Sequence, residues 1–287
     1  MNSFKSMKAL PFTIPKHDSA LLLFQRDRGE RFYDRFHQHE AIQISVILSG
    51  EGDVLVGDRI RRYASGDVFI LGSFLPHLFK TDESNGEESH MITVFFSPLD
   101  FSNFMQFDEL NNLEELLNEM AHGMVLEDNF EVIVKMISAI EFSTPLKRVV
   151  LFLSLLETIR HSKRRLLSSN LSRKMLTENE GMRMQLVMNY TLDSFMNVIS
   201  LEDVAELANM STNAFCRYFK QRTNKSYFQF LIDIRIEHAC TLLSNQKELP
   251  ITVVAELSGF QNLSNFNRRF RSEKGITPSQ FRRENIR

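Results

Sequence analysis

The chain has 287 residues, of which 43% are hydrophobic and 24% charged, a composition typical of a soluble globular protein with room for two domains. No apolar run approaches the roughly 20 residues that span a bilayer. Pro11 and Pro15 interrupt the N-terminal segment, so neither a membrane partner nor a secretory signal is predicted. Two cysteines are too few for a disulfide framework, which favours a cytoplasmic location.

The formal net charge of −2 is unevenly distributed along the chain. Residues 200–287 hold 13 Lys and Arg against 9 Asp and Glu, a net of +4, whereas the preceding residues have a net of −6. A basic C-terminal part attached to an acidic remainder is compatible with DNA binding through the C-terminal part.

Short apolar runs between about residues 32 and 96 predict β-structure. Each run has the length of a strand, is rich in β-branched or aromatic residues and is bounded by turn-forming residues. The runs are Ile42–Leu48, Asp53–Val56, Asp67–Leu71 and His90–Phe96. Several short strands at such close spacing indicate a sandwich or a small barrel.

Polar residues among these strands resemble the two sequence motifs of the cupin barrel. The first motif corresponds to His37-Gln38-His39, Gln43 and Gly50, and the second to Gly66-Asp67 with Pro76-His77. The chain departs from the cupin pattern at Gln43, where the family has Glu, and at Ala64, where the family usually has Pro. The resemblance implies a cupin-like barrel in this half of the chain.

Three histidines and Gln43 are the candidate ligand-binding residues of this half. His37 and His39 are two residues apart and share one face of a strand, from which they can meet His77 across a barrel. Three imidazoles and one oxygen ligand would suit a divalent transition metal, but Gln43 lacks the anionic charge that stabilises a dication. We therefore expect a pocket for a small organic effector, formed by these four residues, with no metal or other cofactor. Alternatively, the histidines only hydrogen-bond within a polar pocket or face solvent near its mouth.

After the last predicted strand the spacing of apolar residues becomes helical. Leucines recur every three or four residues over Leu110–Met120, and a longer helix is predicted with Pro145 in its first turn. The longer helix is apolar on more than one face, which fits either core packing or a homodimer seam that includes Phe152. We assign residues 1–167 to a sensing and dimerisation domain and the polar residues 168–181 to a linker.

Two segments of the C-terminal part, about fifty residues apart, repeat one pattern. Leu201–Ala208 and Ile251–Ser258 share the sequence Val-Ala-Glu-Leu. Each is followed by a short break, by a basic helical segment and by a similar closing sequence. Two helix-turn-helix units, at about 201–222 and 251–274, would allow one chain to contact duplex DNA twice.

Phenylalanine spacing predicts which face of each second helix is buried. Two phenylalanines lie one helical turn apart in each unit, Phe215 with Phe219 and Phe266 with Phe270. Arg217 and Arg268 follow the first Phe of each pair by two residues, and so lie on the opposite side, where Arg can donate two hydrogen bonds to guanine. A helix over about Phe228–Ser244 joins the units and sets their separation at about one duplex turn, roughly 34 Å.

The segment Ser200–Arg283 resembles the DNA-binding domain of AraC/XylS-type transcriptional regulators. Its most specific part is Gly259-Phe260 followed by Gly275-Ile276-Thr277-Pro278-Ser279-Gln280-Phe281-Arg282. The resemblance implies an α+β protein with an N-terminal cupin-like β-barrel and flanking helices. Residues 182–287 would form an all-α domain of two helix-turn-helix units joined by a long helix. The chain departs from the family at Asn209-Met210, where many members have Gly and an aromatic residue, and at Cys216, where a polar residue is frequent.

The resemblance also implies which residues contact DNA. Base contacts are expected from Asn213, Cys216 and Arg217 in the first unit and from Ser264, Asn267 and Arg268 in the second. Phosphate contacts are expected from Ser211, Lys220, Lys225, Asn262, Arg269, Arg271 and Lys274. The other implied partners are RNA polymerase, a small-molecule effector and a second copy of the chain, in a regulator of a family that activates transcription more often than it represses it.

The competing hypothesis is a metal-dependent cupin enzyme whose helical C-terminal part serves only for assembly. It predicts stoichiometric metal, lost when His37 or His77 is replaced by Ala, and turnover of a substrate. Gln43 argues against it, and the sequence has neither a Gly-rich phosphate-binding loop nor a serine-elbow motif. We therefore expect a regulator and not an enzyme.

Overall fold

A computed structural model of the chain describes residues 20–82, 88–102, 107–168 and 176–284. The chain divides into two compact units, one within the first 181 residues and the other formed mainly by Met182–Arg287. The strands of the described residues all lie before residue 167, and the elements from residue 182 onwards are helices. The α+β class predicted from the sequence is therefore confirmed. No helix in the described ranges combines the length and the apolar character needed to cross a membrane.

Nine strands form two sheets in the described residues. The strands are β1 (Leu22–Gly29), β2 (Ile42–Ser49), β3 (Gly52–Val56), β4 (Arg59–Tyr63), β5 (Val68–Leu71), β6 (His77–Thr81), β7 (Ser89–Phe96), β8 (Met124–Leu126) and β9 (Arg164–Leu166). The larger sheet has the order β1-β7-β2-β5-β8-β9, and the smaller sheet has the order β4-β3-β6. Val54 and Phe79 of the smaller sheet share one buried cluster with Phe69 and Met91 of the larger sheet. The two sheets therefore face each other across a common core.

The sequence pattern predicts β2, β3, β5 and β7 and misses the other five strands. Four of the missed strands, β1, β4, β6 and β9, are the edges of the two sheets. β1, β4 and β9 are partly exposed and contain arginines, so they do not produce the apolar runs used to recognise a strand. β6 is mostly buried, but its five residues include His77 and Lys80, which interrupt the apolar run. The fifth, β8, is buried but has only three residues, which is too short for a pattern.

Three helices cover the larger sheet: α1 (Asn111–Met120), α2 (Phe130–Glu141) and α3 (Pro145–His161). Phe152 of α3 is fully buried, with its ring centroid 5.0 Å from that of Phe96 and 5.8 Å from that of Phe101. Phe152 therefore packs in the core, and dimerisation through this helix stays a prediction. Other apolar residues of α3 are exposed.

The predicted linker, residues 168–181, falls mostly outside the described residues, which stop at 168 and resume at 176. Its C-terminal end is helical, because α4 (Glu178–Ser194) begins before residue 181. The start of α4 has reciprocal caps, in which Thr177 N–H donates to Glu180 Oε2 at 2.9 Å and Glu180 N–H donates to Thr177 Oγ1 at 3.3 Å.

Six further helices complete the C-terminal unit. They are α5 (Leu201–Leu207), α6 (Thr212–Thr223), α7 (Tyr227–Asn245), α8 (Ile251–Leu257), α9 (Leu263–Lys274) and α10 (Pro278–Glu284). The predicted joining helix corresponds to α7, whose 19 residues span about 28 Å at 1.5 Å per residue. One buried aromatic cluster holds α6 against the start of α7, and a second core forms around α7, α8 and α9.

Candidate functional site

Helices α5 and α6 form one helix-turn-helix unit, and α8 and α9 form the other. Each turn closes with the same hydrogen bond: Met210 N–H donates to the Ala205 carbonyl at 2.9 Å, and Phe260 N–H donates to the Ala255 carbonyl at 2.9 Å. Ala205 and Ala255 are buried, and their small side chains leave room for the following helix. The sequence repeat is therefore also a repeat of backbone geometry.

The two turns differ in the residue that adopts a left-handed backbone conformation. Asn209 has φ 54° in the first turn, and Gly259 has φ 81° in the second. Asn tolerates this conformation better than most residues, so the departure from Gly at position 209 is accommodated. At Gly259 a Cβ atom would lie 2.7 Å from the Phe195 carbonyl oxygen and 2.9 Å from Arg235 Nε. Only the second turn requires Gly on steric grounds.

Two residues assigned to phosphate contact, Ser211 and Asn262, are the N-caps of α6 and α9. Ser211 Oγ accepts a hydrogen bond from Ala214 N–H at 3.4 Å, and Asn262 Oδ1 accepts one from Asn265 N–H at 3.0 Å. These bonds occupy acceptor oxygens and leave the Ser211 hydroxyl proton and the Asn262 amide nitrogen as potential donors. The helix N-termini that they cap are favourable positions for an anion such as a phosphate.

The buried and exposed faces of α6 and α9 are those that the phenylalanine spacing predicts. Phe215, Phe219, Phe266 and Phe270 are fully buried, and both pairs have ring centroids 5.6 Å apart. All six residues assigned to base contact have exposed side chains: Asn213, Cys216, Arg217, Ser264, Asn267 and Arg268. Three of them lie on each of the two helices, so each unit presents its own polar face.

Asn265 was not among the residues predicted from the sequence. Its Oδ1 accepts a hydrogen bond from Arg268 Nη2 at 2.9 Å, one helical turn along α9. The bond restricts the guanidinium of Arg268 on the exposed face. The signal in the sequence was the spacing of three residues between an Asn and an Arg, which places both on one face of a helix.

The basic residues assigned to phosphate contact divide into two groups. Lys220 and Arg271 are exposed, and Arg269 is half-buried. Lys225 and Lys274 are instead held by carboxylates within the unit: Lys225 Nζ is 2.6 Å from Asp233 Oδ2, and Lys274 Nζ is 2.6 Å from Glu237 Oε1.

Glu237 is the main coulombic cause that raises the pKa of Lys274, against the opposing effect of burial. Breaking either ion pair would leave a partly buried carboxylate uncompensated. Lys225 and Lys274 are therefore held in internal ion pairs, and a phosphate contact by either residue stays a prediction.

Arg235 of α7 connects the two helix-turn-helix units. Its Nε donates to the Phe195 carbonyl at 2.7 Å and its Nη2 donates to the Asn197 carbonyl at 2.8 Å, both in the segment before α5. Its guanidinium carbon also lies 6.0 Å from the ring centroid of Phe260, in the second turn. Arg235 thus contacts both the segment that leads into the first unit and the turn of the second unit. The sequence alone did not reveal this connecting role.

The N-terminal unit brings the three predicted histidines together. The ring centroids of His37 and His77 are 4.2 Å apart, those of His39 and His77 are 5.1 Å apart, and those of His37 and His39 are 5.8 Å apart. One potential ligand atom from each ring lies within 4.8 Å of those from the other two. His37 and His77 are also paired through their backbones, as an antiparallel bridge.

Each imidazole is oriented by a backbone carbonyl. Nδ1 lies 2.6 Å from the Arg35 oxygen in His37, 2.8 Å from the Ala41 oxygen in His39 and 2.8 Å from the Leu75 oxygen in His77. A carbonyl only accepts hydrogen bonds, so Nδ1 carries the proton in His37 and in His77. In His39 both ring nitrogens face acceptor oxygens, because Nε2 lies 3.0 Å from Gln43 Oε1. Burial lowers the pKa of His37 to about 4, lowers that of His39 and lowers that of His77 well below its ordinary value. Burial therefore favours the uncharged form of each ring.

Gln43 is the fourth member of the cluster. Its Oε1 is 3.0 Å from His39 Nε2, and its Nε2 donates to Ser45 Oγ at 2.8 Å. Ser45 Oγ is in turn 2.8 Å from Thr93 Oγ1. The two hydroxyls thus fix the amide so that its oxygen faces the histidines.

A cavity of about 20 Å³ borders the cluster, lined by His37, Gln43 and His77 together with residues of the facing strands. Pockets for organic ligands usually have volumes of about 300–1,000 Å³. The cavity is close to the volume that a single water molecule requires, roughly 10–15 Å³. In this structure the cavity beside His37, Gln43 and His77 is smaller than an organic ligand requires, and the effector pocket expected from the sequence stays a prediction.

Two family profiles match the chain. The profile described as a helix-turn-helix domain matches residues 204–284, and the profile of the AraC-like ligand binding domain matches residues 20–98. The first match covers both helix-turn-helix units, and the second covers β1–β7 with the histidine cluster. Together they span more than half of the chain.

Relatives align with the chain over most of its length. The HTH-type transcriptional regulator YdeC of Bacillus subtilis (strain 168) is 23% identical over 259 residues, which are 88% of this chain and 87% of the relative. The HTH-type transcriptional activator RhaS of Escherichia fergusonii is 24% identical over 260 residues, 86% of each chain. Among solved structures, the DNA-binding domain of AdpA in complex with a target DNA is 28% identical, with a TM-score of 0.33, over 34% of this chain and 87% of that chain.

Proposed function

This chain belongs to the AraC family of transcriptional regulators, with a ligand-binding domain and a helix-turn-helix DNA-binding domain, and from that premise we propose that it recognises a bipartite DNA sequence through α6 and α9. The observation that carries the proposal is the matched geometry of the two units. Each has an N-capped second helix with a buried Phe pair and an exposed Arg, Arg217 in α6 and Arg268 in α9. Each Arg would contact guanine in the major groove.

The proposed contacts divide by the chemistry of the side chains. Base contacts are assigned to Asn213, Cys216 and Arg217 in α6 and to Ser264, Asn267 and Arg268 in α9. Phosphate contacts are assigned to Ser211, Lys220, Asn262, Arg269 and Arg271, which position the protein without specifying the sequence. Cys216 is a weak donor, so Asn213 and Arg217 carry most of the specificity of the first unit.

The N-terminal unit is proposed as the sensor of an effector. Binding of the effector would favour one arrangement of the regulator over another by a few kcal/mol, which is enough to change promoter occupancy. Activation through RNA polymerase is proposed because RhaS, a relative along most of its length, is described as an activator. The protein would act in the cytoplasm, where the promoter DNA of a bacterium is located, and would catalyse no reaction.

A homodimer is proposed through the exposed face of α3. Leu146, Val150 and Leu153 are 77%, 56% and 37% exposed and lie three or four residues apart, so they form one apolar stripe. Phe142, just before the helix, extends the stripe and is 80% exposed. A second copy with the same stripe would bury it by a two-fold symmetric contact.

Selection of bound sequences from a random DNA pool tests the proposed function. The full-length protein is expected to enrich one bipartite motif whose two parts are separated by about 10–10.5 base pairs, one duplex turn. The double variant Arg217→Ala, Arg268→Ala should enrich no motif. Enrichment of no sequence by the folded wild-type protein, or of the same motif by the double variant, would contradict the proposal.

A further inference from the structure

We propose that Arg235 of α7, supported by His238, fixes the relative orientation of the two helix-turn-helix units and thereby sets the spacing of the two DNA half-sites that the protein accepts. The half-sites are the two parts of the bipartite sequence, so this inference rests on the proposed function. In this role Arg235 contacts no base. It is a positioning residue that acts through α6 and α9.

The joining helix alone does not determine how the two units are turned relative to each other. The first unit packs on the start of α7, where Tyr227 and Phe230 contact the phenylalanines of α6. The second unit packs on the end of α7, around Ile236 and Leu243. Because the units are attached at opposite ends, a small tilt of either unit on α7 would displace its DNA-binding helix. A contact between the units near the middle of α7 restrains such tilts.

The backbones of the two units approach each other closely at one place. A Cβ atom on Gly259 would lie 2.7 Å from the Phe195 carbonyl oxygen and 3.0 Å from Met196 Cα. Phe195 and Met196 precede the first unit, and Gly259 lies in the turn of the second unit. The segment that leads into the first unit therefore lies against the turn of the second, and residue 259 has no side chain to separate them.

Arg235 bridges this place of close approach. Its Nε and Nη2 donate to the carbonyls of Phe195 and Asn197 at 2.7 and 2.8 Å. On the other side, its guanidinium carbon lies 6.0 Å from the ring centroid of Phe260, within the range of a cation–π contact. Two bonds from one planar group fix the orientation of the bonded segment as well as its position, which the single ammonium of a lysine cannot do.

His238 forms a second bridge, one helical turn further along α7. Its ring centroid is 5.0 Å from that of Phe195, and its Nδ1 is 3.4 Å from the Oγ of Ser258, a fully buried residue next to the second turn. Residues three apart lie on one face of a helix, so Arg235 and His238 contact the same two segments. Two separate bridges resist rotation of the units as well as their separation.

The chemistry of Arg235 makes its replacement a clean test. The guanidinium is half-buried and forms no ion pair among the described residues, because carbonyl oxygens and the Phe260 ring are its partners. An apolar side chain of similar length at position 235 therefore leaves no carboxylate unpaired. We expect Arg235→Met to remove the bridge and to preserve the fold of each unit.

Fixed units make DNA binding sensitive to the distance between the half-sites. One base pair more or less displaces one half-site by about 3.4 Å and rotates it by about 34–36° around the duplex axis. Two units in a fixed orientation cannot both keep their base contacts after this change, whereas loosely joined units can adjust. A narrow spacing preference in wild type, lost without Arg235, is therefore the signature of the bridge.

Titration of the full-length protein against duplexes whose half-sites lie up to two base pairs closer or further apart measures this preference. Wild type should bind the best spacing about 30-fold or more tightly than a spacing that is one base pair off, because the base contacts of one unit are lost. In Arg235→Met this ratio should fall to about threefold or less, with affinity for a single half-site unchanged within about twofold. Arg235→Lys keeps the charge without the paired bonds and should fall between the two.

Arg282→Met is the matched control for the titration. Arg282 Nη2 also donates to a backbone carbonyl, that of Leu249 at 2.5 Å, but this bond lies within the second unit. The control should lose stability and keep the wild-type spacing ratio. A folded Arg235→Met protein with the wild-type ratio, or an equal loss of spacing preference in Arg282→Met, overturns the inference. If Arg235→Met does not fold, a reduced ratio in Arg235→Lys supports the inference and a wild-type ratio overturns it.

A measurement without DNA separates this inference from the proposed function. Spin labels on Cys216 of α6 and on position 272 of α9 in Ser272→Cys protein report the distance between the two helices by pulsed electron paramagnetic resonance. Both positions are exposed, whereas Cys240 is buried and its pKa is raised by burial to about 12, so its thiol should stay unlabelled. We expect one narrow distance distribution with Arg235 present and a clearly broader one with Arg235→Met.

The two experiments fail in different ways. Equally narrow distributions with and without Arg235, or a broad distribution in the protein that retains it, overturn the inference whatever DNA is bound. A broadening on Arg235→Met in a protein that selects no DNA sequence refutes the proposed function and leaves Arg235 as the residue that fixes the two units.

Discussion

At the scale of single residues, the two helices proposed to face DNA, α6 and α9, differ in how their exposed arginines are held. Arg268 is held by Asn265 within α9, whereas Arg217 lies exposed on α6 beside the weak donor Cys216. An arginine that is already restrained loses less side-chain entropy on binding, which for an immobilised side chain is about 0.5–1.5 kcal/mol. The second unit should therefore bind its part of the DNA sequence more strongly.

Replacement of Arg217 by Ala should reduce affinity for the selected DNA by about 1–3 kcal/mol, with the loss concentrated at one base pair. The reason is that a guanidinium bonded to a base edge distinguishes that base from the other three. Titration of the variant against DNA duplexes that each carry one base substitution measures the effect. The variant should bind the cognate site and the site altered at that base pair about equally well.

Arg271→Ala is the matched control, because Arg271 is also an exposed arginine but is assigned to a phosphate. It should weaken binding to all the duplexes by similar factors and reduce the slope of log affinity against log salt by about one. If Arg217→Ala and Arg271→Ala both lose affinity by the same factor for every duplex, the assignment of Arg217 to a base and of Arg271 to a phosphate is wrong.

At the scale of secondary-structure elements, the two turns have the same hydrogen-bond pattern but different steric requirements. The left-handed residue is Asn209 in the first and Gly259 in the second. The second turn is crowded because Arg235 and the Phe195 carbonyl are close to Gly259. The contact that joins the two units is therefore also the reason why one turn tolerates a side chain and the other does not.

Exchange of the two turn residues tests this difference. Gly259→Asn should lower the free energy of unfolding by about 1–3 kcal/mol, since the new Cβ meets the Phe195 carbonyl oxygen in a left-handed conformation. Asn209→Gly should change it by no more than about 0.5 kcal/mol, because Asn209 is exposed and already tolerates this conformation. Urea unfolding of both variants provides the comparison. Equal destabilisation by the two substitutions would show that the crowding at Gly259 is not the cause.

At the scale of the whole molecule, α3 presents one face to the core and an apolar face to the outside. Phe152 lies on the inner face and cannot take part in assembly without unfolding the unit. The outer stripe of Leu146, Val150 and Leu153 can take part, and two copies of the chain would present two pairs of helix-turn-helix units to DNA.

Val150→Glu should convert a dimer into a monomer in sedimentation experiments, because a charge in the middle of the apolar stripe must lose its hydration in the dimer. Folding should be preserved, since the side chain is exposed in the single chain. Leu99→Glu places the same charge at another exposed apolar residue, 66% exposed, and should leave the mass unchanged. An unchanged dimer in Val150→Glu protein would locate the interface elsewhere.

The predictable part of the fold follows from patterns that are local in the chain. The helix-turn-helix repeat could be recognised because capping residues, the Phe spacing and the turns each lie within a few residues of one another. Edge strands such as β1 and β4 could not be recognised, since their polar residues follow no alternation that distinguishes a strand from a loop. Ion pairing of Lys225 and Lys274 was also hidden, because a lysine has the same appearance in a sequence whether it faces a carboxylate or solvent.

The sequence by itself determined the two-part organisation, the duplicated DNA-binding units, their buried and exposed faces and the identity of the four residues in the N-terminal cluster. Only the tertiary structure decided how those four residues are arranged. Sequence spacing places His37 and His39 on one segment, but the distance to His77, the direction of the Gln43 amide and the size of the adjoining cavity depend on how strands far apart in the chain pack. Such distances are fixed by packing and not by order along the chain.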